Sequence, residues 1–276
     1  MDNSNINFHQ TFKPERQYIA SLLDYSNNNS GFHSAKEISL ETGIPTGESS
    51  GKVIPHIEYA KYMGLLCFEL QNGKYKLTLS NLGRIVIQED PGFMEELTVL
   101  ICHGMLLRPV NGASVWSRTF INVFPKYDTE ISIEQCIKEL EVFYGDKIKQ
   151  KNFAPFLGSY EEFFDFFDIF ELDKSRTSIV FKNKLPISND FVFVYAYLLF
   201  KYWDEQFCNN NEITADEFEL LNFSKVFRWS REETYKVLEM LNDRNILRLN
   251  RQMSPYTILR LETEETLLNK LYSELL

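Results

Sequence analysis

Hydrophobic side chains recur at helical spacing in the first quarter of the chain. One such run covers residues 14–25 and predicts a helix. Ser34 and Glu37 have the spacing of a capping box, which predicts that a second helix begins there. A third helix is predicted over residues 48–66, because its apolar side chains share one side: Val53, Ile57, Ala60 and Met63.

Two short runs of alternating hydrophobic and polar residues follow, at residues 65–71 and 74–80. The Asn72-Gly73 pair between them is a strong signal for a tight hairpin turn. The order helix, turn, helix, hairpin is typical of a winged helix-turn-helix. The sequence therefore predicts such a unit at the start of the chain.

The glycine-rich stretch before the third helix also invites comparison with a nucleotide-binding loop. That interpretation fails, because Thr46 stands where a phosphate loop needs glycine and Val53 stands where it needs a hydroxyl. We expect Gly43 to Gly51 to form the turn that leads into the groove-reading helix, where glycine serves the backbone geometry.

The remaining pattern predicts a helical middle region and a second unit like the first. Residues 187–207 form a strongly apolar helix, and an amphipathic helix begins at Ser132. Capping boxes recur in the last quarter, and two alternating runs follow them over residues 247–262. The predicted fold is mainly α with small β-hairpins (α+β): a winged-helix domain at 1–90, a helical middle domain at 91–210 and a winged-helix domain at 211–276.

Composition places this chain among folded soluble proteins, since 44% of its 276 residues are apolar and 25% are charged. No apolar run approaches the length of a membrane helix, and the N-terminus lacks a signal pattern. The four cysteines are scattered without a CxxC pair. We therefore expect a cytoplasmic protein that does not use a membrane.

The net charge of −10 argues against a chain coated for nonspecific nucleic-acid binding, but a local basic face remains compatible with it. Residues 225–260 carry eight Lys or Arg and four acids. Arg231 and Lys236 fall on the predicted recognition helix, and arginines follow at its end and on the wing: Arg244, Arg248, Arg251 and Arg260. The alternative is a winged helix that contacts only proteins.

The first unit offers a weaker basic pattern. Lys52 and His56 fall in or near its groove-reading helix together with Ser49, Ser50 and Lys61, and its wing carries Lys74 and Lys76. Glu48 and Glu58 cancel much of that charge. The first unit is therefore a second candidate for contact with bases or phosphates, on a weaker signal than the C-terminal unit.

An acidic stretch is the candidate metal site. Glu161, Asp165 and Asp168 have the spacing of one helical face, and clustered carboxylates are what Mg²⁺ needs. The alternative is a solvated face opposite a row of phenylalanines. His9, Arg16 and the adjacent Cys102-His103 pair are better explained by structural roles, and no catalytic residue is identified.

Several stretches resemble a known family. They are "FHQTFKPERQ" at residues 8–17, "TGI" and "GKVIPHIEYAKYMGLL" within residues 42–66, "LTLSNLGRIVIQEDP" at 77–91 and "LICHGMLLRP" at 100–109. Together they are similar to an uncharacterised-domain family of bacterial DNA phosphorothioation and antiphage loci. One member, the B subunit of Ssp-type systems, nicks DNA. The stretch "PTGESSGK" departs from the shorter Gly-Lys turn of that pattern.

The resemblance implies a DNA-directed component of prokaryotic defence, with double-stranded DNA and other proteins of the same operon as partners. Three functions follow for testing. The first is a DNA-binding component, which needs no cofactor. The second is a nicking endonuclease that depends on Mg²⁺. The third is a winged-helix adaptor for proteins, or a transcriptional regulator.

Overall fold

The computed structural model describes residues 6–47, 51–208, 210–252 and 254–275. The helices within these residues are α1 Arg16–Asn28, α2 Ala35–Thr42, α3 Val53–Tyr62, α4 Asn81–Glu89, α5 Glu96–Leu106, α6 Ser114–Arg118, α7 Ile133–Tyr144, α8 Gln150–Glu162, α9 Val192–Gln206, α10 Ala215–Leu220, α11 Phe223–Phe227, α12 Arg231–Asp243 and α13 Glu264–Lys270. The strands are β1 His33–Ser34, β2 Leu66–Gln71, β3 Lys74–Leu79, β4 Glu130–Ser132, β5 Phe170–Leu172, β6 Ser178–Phe181, β7 Glu212–Thr214, β8 Leu247–Asn250 and β9 Thr257–Arg260.

The strands form three antiparallel sheets that share one strand order. The orders are β1-β3-β2, β4-β6-β5 and β7-β9-β8. Each sheet belongs to the same succession of elements: helix, short strand, two or three helices, and a pair of strands. The predicted α+β class is confirmed, and the division into domains at 90 and 210 stays a prediction.

The prediction of a purely helical middle region is wrong, because β4, β5 and β6 lie within it. These strands are three or four residues long, and β5 follows a 3-10 turn at Asp165–Phe167. A strand this short shows too few alternations for period-two patterning to stand out. The helix that precedes this sheet is α6, which continues through a π-helical turn, Thr119–Val123, and a 3-10 turn, Phe124–Lys126.

Local sequence signals set the helix starts as predicted. The Ser34 hydroxyl accepts from the Glu37 backbone N–H, and the Glu37 carboxylate accepts in return from the Ser34 backbone N–H at 2.6 Å. The same reciprocal box begins α10 at Thr214 and α12 at Ser230. A box satisfies two of the N–H groups that a helix start leaves without partners.

The Asn72-Gly73 turn is also confirmed. Both residues have positive φ, 51° and 73°, which is the geometry of the tight turn that matches strand twist. The turn joins β2 and β3 in register from the Gln71–Lys74 pair to the Leu66–Leu79 pair.

Glycine serves the backbone before α3, as expected. Gly43 ends α2 in the left-handed conformation, with φ 72°. Gly51 pairs with Thr46 in an isolated antiparallel bridge. A Cβ at Gly51 would lie 2.1 Å from the Thr46 Oγ1 atom, so only glycine allows this close approach.

Two helices form the centre of the molecule. Every residue of α5 from 97 to 106 is buried, and α9 is buried along most of its length. They pack against each other closely enough that the Tyr202 hydroxyl donates to the Gly104 carbonyl at 2.5 Å. All three tryptophans are buried: Trp116, Trp203 and Trp229.

One continuous hydrophobic core includes residues from all three sheet-containing segments. The last helix, α13, packs against both α9 and α4 and so connects the end of the chain to the first segment. Among the described helices, none is long and apolar enough to cross a membrane.

Candidate nucleic-acid interface

The helix predicted to read DNA in the first segment is covered by protein. Six of the ten residues of α3 are buried: Val53, Pro55, His56, Ile57, Tyr59 and Ala60. The cover comes from the N-terminal residues, because the Phe8 ring lies 4.9 Å from the Tyr59 ring and the Tyr59 hydroxyl donates to the Phe12 carbonyl at 3.0 Å. The side of α3 that carries His56 and Tyr59 is therefore closed to a DNA groove, while Lys61 on the same helix is exposed.

His56 therefore does not belong to a DNA-contacting surface, contrary to the prediction. Its Nε2 accepts from the Glu15 backbone N–H at 3.1 Å, and its Nδ1 donates to the Lys52 carbonyl at 2.7 Å. Burial lowers the pKa of His56 to about 4, so the ring is neutral near pH 7. Both nitrogens are used inside the protein.

The Lys52 side chain is likewise turned to the protein. Its ammonium lies 2.7 Å from a Glu15 carboxylate oxygen and 5.1 Å from the centre of the Tyr18 ring. The hydrogen bond to Glu15 raises the pKa of Lys52. Lys52 therefore connects the start of α3 to the start of α1 through its ion pair with Glu15.

The remaining candidates of the first segment lie on its hairpin. Lys76 pairs with Glu69 at 3.1 Å and Lys74 lies 3.9 Å from Glu37. Both pairs are largely exposed, and such pairs contribute only about 0–1 kcal/mol, so these lysines stay candidates for phosphate contact. Ser49 and Ser50 lie outside the described residues.

The C-terminal helix α12 is less buried than α3, because only four of its 13 residues are buried. Its buried residues all point to one side, namely Thr234, Val237, Leu238 and Leu241. Lys236 is exposed on the other side and Arg231 is exposed at its flank, and neither forms an ion pair within the described part of the chain. The same face carries Glu232 and Asp243, so its charge is mixed.

The arginines that follow α12 divide into two groups. Arg260 is committed to the core, since its guanidinium lies 4.2 Å from the Trp203 ring and 2.6 Å from an Asp204 oxygen. Arg244 forms two contacts with Glu274, at 2.6 and 3.3 Å. The expectation that Arg260 faces DNA is therefore wrong.

Arg248 and Arg251 are the exposed members of this set. They line one groove of about 830 Å³ with Glu239 and Asp243. Arg251 lies 2.8 Å from Glu239, both half exposed, whereas Arg248 forms no ion pair among the residues that the structure describes. We call Arg231, Lys236, Arg248 and Arg251 the C-terminal basic surface.

The predicted metal site is not formed. Helix α8 ends at Glu162, Asp165 begins a separate 3-10 turn, and Asp168 ends that turn with φ 42°. Glu161, Asp165 and Asp168 therefore do not share a helical face. Glu161 pairs instead with Arg176 and Asp165 with Arg16. Within the described residues, no group of three or more His, Cys, Asp or Glu side chains could hold a metal ion.

The N-terminal motif residues occupy structural positions. Arg16 joins α1 to the end of α8, donating to the Phe163 carbonyl at 2.7 Å in addition to its pair with Asp165. His9 is 1% exposed and its ring packs 5.8 Å from the Trp116 ring. Burial lowers the pKa of His9 to about 4.

Cys102 and His103 form no reactive pair. Burial raises the pKa of the Cys102 thiol and lowers the pKa of His103 to about 3, whereas a nucleophilic pair needs a thiolate beside a charged imidazole. His103 is enclosed by the rings of Phe120, Tyr160 and Phe164 at 5.2–5.8 Å. Its nitrogens have no hydrogen-bond partner among the described residues.

Sequence reasoning missed one basic cluster, at the start of α8. Lys147, Lys149 and Lys151 are exposed there around a pocket of about 520 Å³. The available signal was the alternation of lysines in "DKIKQK" at residues 146–151. That stretch is too short to change the charge of a long window, so a search by segment charge passes over it.

The molecule is thus an α+β protein in which one order of elements and one strand order occur three times. Neither a family model nor a curated protein sequence matches the chain. Two solved structures share its fold, and both are crystal structures of SspB. The one with bound magnesium ion has a TM-score of 0.77 at 13% identity, covering 99% of this chain and 89% of that chain.

The second SspB structure has a TM-score of 0.76 at 14% identity, with the same coverage of both chains. The predicted resemblance to the Ssp-type B subunit is confirmed at the level of the fold.

Proposed function

We propose that this protein is a DNA-binding component of a phosphorothioation-type or antiphage defence system. It would act in the cytoplasm on double-stranded DNA, together with other proteins of its operon. The observation that carries the proposal is the exposed part of α12, where Arg231 and Lys236 have no ion-pair partner among the described residues. The fold shared with SspB supports the link to phosphorothioation.

In this proposal each repeated unit is a winged helix-turn-helix, and α12 is the recognition helix of the third. The β8–β9 hairpin is then its wing. Arg231 and Lys236 would approach the groove, while Arg248 and Arg251 would contact phosphates beside it. Arg251 can leave Glu239 at small cost, because an exposed ion pair contributes only about 0–1 kcal/mol.

A salt series on a labelled duplex tests the proposal. Arg231→Ala/Lys236→Ala/Arg248→Ala should weaken binding and lower the slope of log affinity against log salt by about 1, since Arg248 is the member of this set that is assigned to a phosphate and each lost phosphate contact removes about 1. Lys36→Ala/Lys138→Ala/Lys174→Ala is the matched control, because it removes three exposed lysines elsewhere. An equal loss in both variants would refute a specific surface, and absence of binding at low salt would favour a protein adaptor.

A magnesium-dependent nickase is the second candidate, and its support is the SspB structure that contains magnesium. Nicking of a supercoiled plasmid by the full chain, with magnesium and with chelator, tests it. Because Asp165 and Asp168 do not converge on one site, Asp165→Asn/Asp168→Asn should leave nicking unchanged. Loss of nicking in that variant, with the fold intact, would restore the acidic stretch as a metal site.

A further inference from the structure

The lysine pocket at the start of α8 is separate from the C-terminal basic surface. It lies between residues 6–11 and 146–152 and has a volume of about 520 Å³. Its three lysines, Lys147, Lys149 and Lys151, face a single acid among the lining residues, Asp146. None of these lysines is ion-paired within the described chain, so the pocket has excess positive charge in an acidic protein.

The pocket also receives the start of a long helix. Helix α8 has 13 residues, and the N–H groups of a first helical turn carry a partial positive charge that favours anions. The buried side chain of Asn152 holds the pocket together: it accepts from the Lys149 backbone N–H at 3.0 Å and donates to Asn7. The N-terminal residues are therefore fixed against the helix start.

His9 is the second, independent sign of a ligand. It lines the same pocket and is 1% exposed; neither ring nitrogen makes a hydrogen bond of good geometry with another described residue, although backbone groups of Ile6 and Asn152 lie close enough to the ring to oppose the lowering of its pKa. A buried polar group without a partner is costly. The neutral ring has one N–H to donate, and an oxyanion would accept it.

The backbone next to His9 is held in an uncommon conformation. Gln10 and Thr11 have positive φ, 57° and 145°, and both line the pocket. The turn is closed by bonds from the Gln10 N–H to the Asn7 carbonyl at 2.9 Å and from the Thr11 N–H to the His9 carbonyl at 2.8 Å. Such strain persists where the surroundings hold it in place, often at ligand sites.

We propose that this lysine pocket binds a phosphate group. Lys147, Lys149 and Lys151 would neutralise it as point charges, while the first turn of α8 and the His9 ring donate to its oxygens. Three cations suit a phosphate better than a carboxylate, because a phosphate group carries more charge and more acceptor oxygens. The phosphate comes from a DNA backbone or from a small molecule, and the two sources are distinguishable.

Calorimetric titration of the full chain with inorganic phosphate, a 5′-mononucleotide and a short duplex tests the pocket. Lys147→Ala/Lys149→Ala/Lys151→Ala should weaken phosphate binding at least about tenfold. Lys147→Glu/Lys151→Glu, which spares the residue at the helix start, should do the same. The control Lys36→Ala/Lys138→Ala/Lys174→Ala should stay within about twofold of the wild type, because distant exposed charges are screened.

Competition identifies the source. If the duplex displaces inorganic phosphate, the pocket takes a backbone phosphate; if only the mononucleotide displaces it, the pocket takes a small molecule. The proposal is overturned if the wild type binds no phosphate at millimolar concentration, or if the control loses as much affinity as the pocket variants. If Arg231→Ala/Lys236→Ala/Arg248→Ala loses duplex binding and keeps phosphate binding, the C-terminal basic surface and the lysine pocket are separate sites.

Discussion

Three buried histidines should make this protein unstable in mild acid. The pKa values of His9, His56 and His103 are lowered from 6.5 to about 4, about 4 and about 3, in each case chiefly by burial. At a pH between these lowered pKa values and 6.5, the histidines of the unfolded chain bind protons and those of the folded chain do not. Stability is therefore fully present above pH 6.5 and is lost as the pH falls toward 4.

The magnitude follows from the ordinary histidine pKa. One pH unit below 6.5, keeping one histidine neutral costs about 1.4 kcal/mol. The three histidines together should lower the free energy of unfolding by about 4 kcal/mol between pH 7.5 and 5.5. Carboxylates titrate mostly below this window, so histidines dominate the loss.

His103→Leu should remove the contribution of one of the three histidines to this pH-dependent loss of unfolding free energy. Because the ring nitrogens of His103 lack partners within the described chain, an apolar side chain of similar size should leave stability at pH 7.5 within about 1 kcal/mol of the wild type. The loss on acidification to pH 5.5 should shrink from about 4 to about 3 kcal/mol.

Urea unfolding at pH 7.5, 6.5 and 5.5 measures these differences. Met105→Leu is the control, because Met105 is buried on the same helix and does not titrate. That variant should shift stability equally at every pH. An unchanged pH dependence in His103→Leu would mean that His103 is not held neutral, and the reasoning would fail.

Gly51→Ala should destabilise the fold by about 1–3 kcal/mol in urea unfolding, because the new Cβ would meet Thr46 at 2.1 Å; an unaltered midpoint would show that the bridge shifts freely. Ser230→Ala removes the capping box of α12 and should cost about 1 kcal/mol, measured the same way against Ser230→Thr, which keeps a hydroxyl. Arg260→Met should lower stability through its lost contacts with Trp203 while leaving the salt slope of DNA affinity unchanged; a reduced slope would return Arg260 to the DNA-contacting surface.

Features encoded within a few residues could be predicted from the sequence. The three capping boxes and the Asn72-Gly73 turn each depend on side chains no more than three positions apart. Their geometry is therefore fixed by local hydrogen bonds and backbone preferences. Strand β4 was missed because its partner is distant along the chain, as in the pairing of Ser132 with Ser178. Strands β5 and β6 pair with each other over a short separation, from Phe170–Phe181 to Leu172–Ile179, and were missed because they are too short to show an alternating pattern.

The predictions that His56 and Arg260 contact DNA failed for a related reason. Arg260 is paired with Asp204 and Arg244 with Glu274, and no charge count over a window reveals such partners. His56 was placed on an open helix because nothing in its neighbourhood along the chain indicates that the N-terminal residues cover α3. The net charge of a segment can be read from the sequence. The net charge of a surface cannot, because a surface is assembled from several segments.

The position of the last helix has a consequence for how the protein is made. Helix α13 packs on α9 and α4, and the Tyr272 hydroxyl lies 2.7 Å from the Thr98 hydroxyl. Contacts this distant along the chain form late, because the loop they close costs entropy. During translation, α4 and α9 would keep apolar surface exposed until α13 emerges, and the nascent chain would be open to aggregation for that interval.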